Sequence, residues 1–284
     1  MRNILQVQYI IFALTVCLLA ACSQDEVEQV KEETLPELRV MVNQPSDIPT
    51  RASINGAKTT FNEGDKIGIF VIDPNTWQET INVAYEYDGT NWNLVDQSKK
   101  IYYSPNFYYF AYYPYVEKTE GEWYYILSYN TDSAESFFNS FISGWEPILD
   151  QSTLEDYLAS DLMVAKGVAT TNDDNSGTVS FTLEHQMGLV QISLIDASGA
   201  PIDITELNSD DIFEESMTVD LQTEYYSVPY NDGQYFRYIA KPQPVEATTG
   251  SSVSFKIREA YGEDIVYATA KKGKMSSLSI NINN

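Results

Sequence analysis

Apolar residues alternate with polar ones along much of this chain. Val179, Phe181 and Leu183 interleave with Ser180 and Thr182, Val190, Ile192 and Leu194 with Gln191 and Ser193, and Val253, Phe255 and Ile257 with Ser254 and Lys256. A period of two puts the apolar members of each run on one face of an extended strand; a helix, with its period of 3.6, would scatter them. Turn-forming clusters separate the runs, among them Asp73-Pro74-Asn75, Asp88-Gly89 and Asp196-Ala197-Ser198-Gly199-Ala200-Pro201. The 21 tyrosines and 12 phenylalanines add weight, because aromatic side chains suit a pleated, half-buried surface. Short strands at regular spacing predict an all-β chain of β-sandwiches, here two in tandem.

The N-terminus sets the compartment. Ile10 to Ala21 is a run of apolar or small residues ending in Leu19-Ala20-Ala21-Cys22, with Ser23-Gln24-Asp25-Glu26 directly behind it. The run is shorter than the ~20 apolar residues that span a bilayer, so residues 1–21 read as an export signal. The Leu-Ala-Ala-Cys ending resembles a bacterial lipobox. That resemblance implies Cys22 as the lipidated, palmitate-bearing first residue of the mature protein, held in the outer membrane at the cell surface; an ordinary signal cut near Ala21 is the alternative. The acidic tract behind Cys22 is similar to a surface-export tag and equally suits a solvated tether. The other cysteine, Cys17, lies inside the signal, so the mature chain forms no internal disulfide and must rely on its core. A net charge of -24 argues against nucleic acid and against anionic lipid as partners.

Residues 22–51 read as a leader. Within it, residues 38–43 alternate, with Leu38, Val40 and Val42 on one face, and Pro45 and Pro49 follow in a linker that cannot be a central strand. Further strands are expected over 65–72, a near-continuous apolar run, and over 80–87, 92–95, 100–103 and 107–113. After these come 161–166, 178–184, 189–195, 217–221, 235–240, 253–257, 265–270 and 278–282. Ser152-Thr153-Leu154-Glu155 has the form of a capping box and predicts a short helix over 153–159. The break at 196–201 divides the chain into an N-terminal sandwich over 52–197, completed by residues 38–43, and a C-terminal sandwich over 198–284.

Little in the chain speaks for catalysis. His185 is the single histidine and has no nucleophile motif around it, so a structural role is expected. The aromatic residues from 107 to 115 could stack sugars, but such a run more often fills a sandwich core. Asn172 to Gly177 lacks the spacing and terminal glutamate of a calcium loop and reads as a hairpin turn. Zinc, phosphate-loop and nucleophile-elbow motifs are missing from the sequence. Spacing alone does not exclude a glycosidase pair among 41 carboxylates, and nothing marks one. The chain is therefore expected to be neither an enzyme nor a cofactor or metal protein.

Several segments, in order, resemble the fimbrillin family, the lipoprotein subunits of type V pili. They are Thr50-Arg51-Ala52, the run from Phe61 through Gly64-Asp65-Lys66 to Phe70, and Asp88-Gly89-Thr90-Asn91-Trp92. Phe110-Ala111-Tyr112-Tyr113-Pro114-Tyr115, Asp161-Leu162-Met163-Val164-Ala165, the stretch from Val179 to Val190, and Lys272-Gly273-Lys274 complete the set. The resemblance implies two transthyretin-like sandwiches and assembly by donor-strand exchange. An arginine-specific protease would cut after Arg51, leaving Ala52 as the new first residue and releasing the strand of Leu38, Val40 and Val42. A strand from another fimbrial subunit would then fill the groove. Those three side chains are worth ~1.5–3 kcal/mol each if buried. Their sum, roughly 5–9 kcal/mol, rivals the ~5–15 kcal/mol stability of a whole domain, so a vacated groove would recruit a strand. The alternative is a permanent strand 38–43 in a monomeric surface lipoprotein that binds glycan or host protein. Because the sequence stops just after 278–282, a tip or accessory subunit is expected rather than a stalk subunit. A ligand on a host or bacterial surface would be its further partner.

Overall fold

The computed structural model describes residues 36, 38–43, 61–77, 79–174, 176–219, 222–243, 253–262 and 264–282. Its N-terminal strands are β1 (Leu38–Asn43), β2 (Lys66–Ile72), β3 (Glu79–Tyr87), β4 (Trp92–Leu94), β5 (Tyr108–Tyr113), β6 (Met163–Lys166), β7 (Val168–Thr171), β8 (Gly177–Thr182) and β9 (Glu184–His185). Those that follow are β10 (Gly188–Ile195), β11 (Phe213–Glu214), β12 (Ser216–Val219), β13 (Gln222–Tyr225), β14 (Tyr230–Asn231), β15 (Phe236–Ala240), β16 (Val253–Ile257), β17 (Ile265–Ala268) and β18 (Met275–Asn281). Short helices lie between them: α1 (Glu120–Tyr124), α2 (Ala134–Phe137), α3 (Asn139–Ser143), α4 (Leu154–Ala159) and α5 (Ser209–Ile212).

The near-continuous apolar run of β2 shapes the N-terminal part. A strand that is apolar at every position must be covered on both faces, and Ile67 to Ile72 are all buried. β2 sits inside a six-stranded sheet of order β4-β3-β2-β5-β6-β9. Ile67, Ile69 and Val71 face a core shared with Val83, Tyr109, Ala111 and Tyr113, closed on its far side by the three-stranded sheet β1-β8-β7. Phe70 and Ile72 face the opposite way, with Phe110 and Tyr112, and are roofed by Trp123, Phe137, Phe138, Phe141 and Tyr157 from α1–α4 and their flanks. The roof packs through aromatic contacts: Phe110 stacks on Phe137 with centroids 4.0 Å apart, and Trp123 meets Phe70 edge-on at 5.0 Å. The aromatic residues of β5 thus fill two cores. Gly68 permits this close packing, since a Cβ there would lie 2.1 Å from Cε1 of Tyr112.

α1–α3 are four or five residues long, too short to show a helical period, and end-capping defines α1, α2 and α4. Thr119 and Glu122 form a capping box on α1, while Ser133 caps α2 and Thr153 caps α4. The helix expected over 153–159 is therefore present, and α1–α3 are additions to the expected elements.

A second set of strands encloses a separate core. β14-β15-β10-β18 form one sheet and β11-β16-β17 another. Val190, Ile192, Leu194, Phe236, Tyr238 and Ile280 pack against Phe213, Phe255 and Ile257 between them. Sequence reasoning grouped 189–195 with the N-terminal strands. In the structure β10 instead pairs with β15 and β18, because its alternating face belongs to the C-terminal core. The expected strand over 100–103 is reduced to an isolated bridge, and β18 begins at Met275, earlier than expected. Buried Gln151 ties the helical layer to β15: its amide donates to the Ile239 carbonyl and accepts from the Ile239 N–H, both at 2.9 Å.

Candidate functional site

β1 carries the strongest functional expectation, and its surroundings can be read residue by residue. It lies parallel to β8 in unbroken register, from Leu38 opposite Gly177 to Asn43 opposite Thr182. Leu38 and Val40 are 6% and 7% exposed and belong to the core under the six-stranded sheet, while Val42 is half-buried at its margin. Arg39, Met41 and Asn43 face outward. At its start the strand is bonded on its second flank as well. The Leu38 N–H donates to the Ile101 carbonyl at 3.2 Å, and the Tyr103 N–H donates to the Pro36 carbonyl at 2.8 Å.

The end of this slot is built from Gly177 and Tyr103. A Cβ on Gly177 would fall 1.7 Å from Cγ of Tyr103, so the ring lies directly over the glycine. The Tyr103 hydroxyl is held 2.8 Å from the Thr171 hydroxyl on β7. Beside β1, a cavity of about 520 Å³ runs between Leu38 and Val40 on one side and Tyr85, Trp92 and Leu94 on the other. Without β1, the sheet covering this core would consist of the hairpin β7–β8 alone, and Val179 and Phe181 would lose their partners Val40 and Val42. A two-stranded hairpin is marginal by itself.

Outside the slot the candidates are structural. His185 is buried, with Nδ1 3.0 Å from the carboxylate of buried Asp161, and it pairs β9 to β6. Asn172 and Ser176 close the turn joining β7 to β8, the Asn172 N–H donating to the Ser176 carbonyl at 2.8 Å. Asp174 accepts from the Ser176 hydroxyl and backbone N–H, which hold its carboxyl below the usual range. Among the described residues, no group of three or more His, Cys, Asp or Glu side chains is arranged to hold a metal ion. Cys22, Arg51 and Ala52 lie outside the described residues. Sequence reasoning missed the helical roof; the available signals were the continuous apolar β2, which demands a second cover, and the Thr119–Glu122 capping box.

Comparison with known proteins bears on these features. A family model described as fimbrillin-like matches residues 50–284. A Bacteroides ovatus protein whose name, fimbrium tip subunit Fim1C, proposes its place in a fimbrium is 32% identical over 188 residues, covering 62% of this chain and 32% of that protein. The crystal structure of a fimbrial protein from Bacteroides ovatus superposes with a TM-score of 0.60 at 22% identity, over 88% of this chain and 50% of that one. At that identity the likeness speaks for the fold alone. The chain spans about a third of the length of the curated relative and half of the solved protein.

Proposed function

The chain belongs to the fimbrillin-like family, a family of fimbrial structural proteins rather than enzymes, and from that premise we propose that it is a fimbrial subunit assembled by strand exchange at β1. One observation carries the proposal. β1 supplies Leu38 and Val40 to a core made otherwise by residues far along the chain, and every pair it makes with β8 is parallel and 139 residues distant. The one arginine between Asn43 and Phe61 is Arg51, and the family match begins at residue 50, after β1. Cleavage after Arg51, with Ala52 as the new N-terminus, would cut β1 from the body and, with it, Cys22 and its lipid. Burial of Leu38 and Val40 is worth ~3–6 kcal/mol together, a large share of a domain's ~5–15 kcal/mol. The emptied slot therefore favours a strand from a neighbouring subunit over solvent.

The same proposal takes the body as two transthyretin-like sandwiches and places the protein in a cell-surface fimbrium, in the outer membrane through Cys22 before the cut. Its partners are other fimbrial subunits and an arginine-specific protease. The similarity to a relative whose name proposes a tip position supports a tip or accessory place over the stalk. Arg51→Ala decides the matter: the variant should still incorporate labelled palmitate at Cys22, but should neither mature nor enter fibres. If it enters fibres at the normal level, β1 is a permanent strand and the monomeric surface lipoprotein becomes the better reading. Purified and cut, the protein should bind one stalk subunit per molecule; long homopolymers would overturn the tip assignment.

A further inference from the structure

The helical roof contains a cavity of about 440 Å³ that the strand-exchange proposal does not use. Val116, Ile126, Phe141, Trp145 and Ile148 form its apolar wall, and Lys118, Ser140 and Glu146 contribute its polar side chains. The wall is held in place. The Trp145 indole N–H donates to the Ser160 carbonyl at 3.0 Å, and the Phe141 ring lies edge-on to the indole at 5.4 Å. Lys241, from beyond β15, donates to the Ser143 carbonyl at 2.9 Å and pairs with Glu146, which fixes the 143–146 turn. A preformed wall reduces the ordering cost of binding.

We propose that this cavity binds a neutral pyranose residue of a saccharide. Its size lies within the ~300–1,000 Å³ of small-molecule sites, and its mixture of an apolar wall with a few polar groups is typical of them. A pyranose matches that mixture: one face of C–H groups suits the negative face of an indole, and its hydroxyls can both accept from Lys118 and donate to Glu146. A wholly apolar guest would cover the Lys118 ammonium and offer it no partner, which is costly; Glu146, already paired with Lys241, keeps a free carboxylate oxygen for a hydroxyl. A peptide that binds by adding a strand would need a sheet edge, and the lining residues come from α3, α4 and connecting loops. An anionic sugar would approach against a net charge of -24. The roof covers the Phe70 and Phe110 face of the six-stranded sheet, whereas Leu38 and Val40 pack on the other. Exchange at β1 thus leaves the cavity accessible, and the two proposals stand or fall separately.

Saturation-transfer NMR on the full chain, with the methyl glycosides of glucose, galactose, mannose, fucose and N-acetylglucosamine as probes, tests this. At least one should bind with an affinity near ~1 mM, about 4 kcal/mol. Trp145→Ala should weaken it by about tenfold or more. Ser140→Trp, at an exposed helical position where the new ring would fill the cavity, should do the same and decides the matter if Trp145→Ala does not fold. The proposal is overturned if all five glycosides fail to bind, or if binding survives Ser140→Trp. It is equally overturned if the neutral apolar probe N-phenyl-1-naphthylamine binds in a manner sensitive to Ser140→Trp while the glycosides do not.

Discussion

β1 and β18 are similar strands in different settings. Each lies parallel to a partner distant in sequence, β8 and β10, in a molecule whose other strand pairs are antiparallel among the described residues. Each buries alternate apolar residues, Leu38 and Val40 in one case, Ile280 in the other, with Leu278 half-buried. The difference lies in what would remain. Removing β18 leaves β10 within the three strands β14-β15-β10; removing β1 leaves β8 with only β7. β18 is also continuous with a bonded turn: the Gly273 N–H donates to the Met187 carbonyl and the Leu189 N–H to the Lys274 carbonyl, both at 2.9 Å. A strand can be exchanged when its sheet depends on it and its attachment to the body is long; β18 meets neither condition.

The largest expected effect tests that contrast directly. Deleting residues 36–43 should cost roughly 3–6 kcal/mol, and the peptide Leu-Arg-Val-Met-Val-Asn added in trans should restore most of the lost melting temperature. Deleting residues 275–282 should be comparably severe, but its peptide should not rescue, because it would lack the covalent attachment to the bonded turn at Lys271 to Lys274 that seats the strand. Equal rescue of both, read by thermal unfolding, would break the distinction, and no rescue of the first would remove the case for a separable β1.

A smaller effect sharpens it. Gly177 opens β8 and Gly188 opens β10, so each stands where a parallel partner begins. An added Cβ would lie 1.7 Å from the Tyr103 ring at Gly177 and 2.7 Å from the Lys271 carbonyl oxygen at Gly188. Both alanine variants should lose about 1–3 kcal/mol by overpacking. Only Gly177→Ala should make β1 more sensitive to protease, since Tyr103 is what bonds the chain at Pro36. Limited proteolysis with mass-spectrometric mapping distinguishes the two; loosening of β1 in both variants would contradict the assignment.

The smallest effect is alkaline. Burial raises the Tyr109 hydroxyl, in the N-terminal core, and the Tyr238 hydroxyl, in the C-terminal core, to about 12. Unfolded tyrosine ionises near ~10. Their contribution to stability is therefore complete below about pH 10 and lost as pH rises through about 12. Denaturant titrations at pH 9 and 11 should show this fall, and Tyr238→Phe should reduce it. An unchanged pH slope in that variant would mean that other groups cause the loss.

Legibility of the sequence followed a physical rule. Strands with one face buried, such as Val179-Ser180-Phe181 or Val253-Ser254-Phe255, declare themselves by alternation, and so did Leu38 to Asn43. Exposed β7, from Val168 to Thr171, has no apolar face to show and was missed. Alternation also says which face is buried, but not against which strand. The placement of β10 with β15 and β18, and of β1 beside β8, therefore could not be read from it. The helices of the roof are single turns, which the apolar period cannot register. At the candidate site, the inward positions of Leu38 and Val40 were legible, while the ring of Tyr103 over Gly177 depends on a contact between residues 74 apart in sequence.

Between two cores, β2 has no position open to neutral drift after its first residue, Lys66. Each residue from Ile67 to Ile72 is buried, so any change of volume there is felt by packing on one side or the other. The hairpin β12–β13 is the opposite case, with Gln222 to Tyr225 all exposed. Substitutions accumulated by lineages of this protein should be sparse in the first and dense in the second. Antibodies raised against the native surface should bind the hairpin and never meet β2.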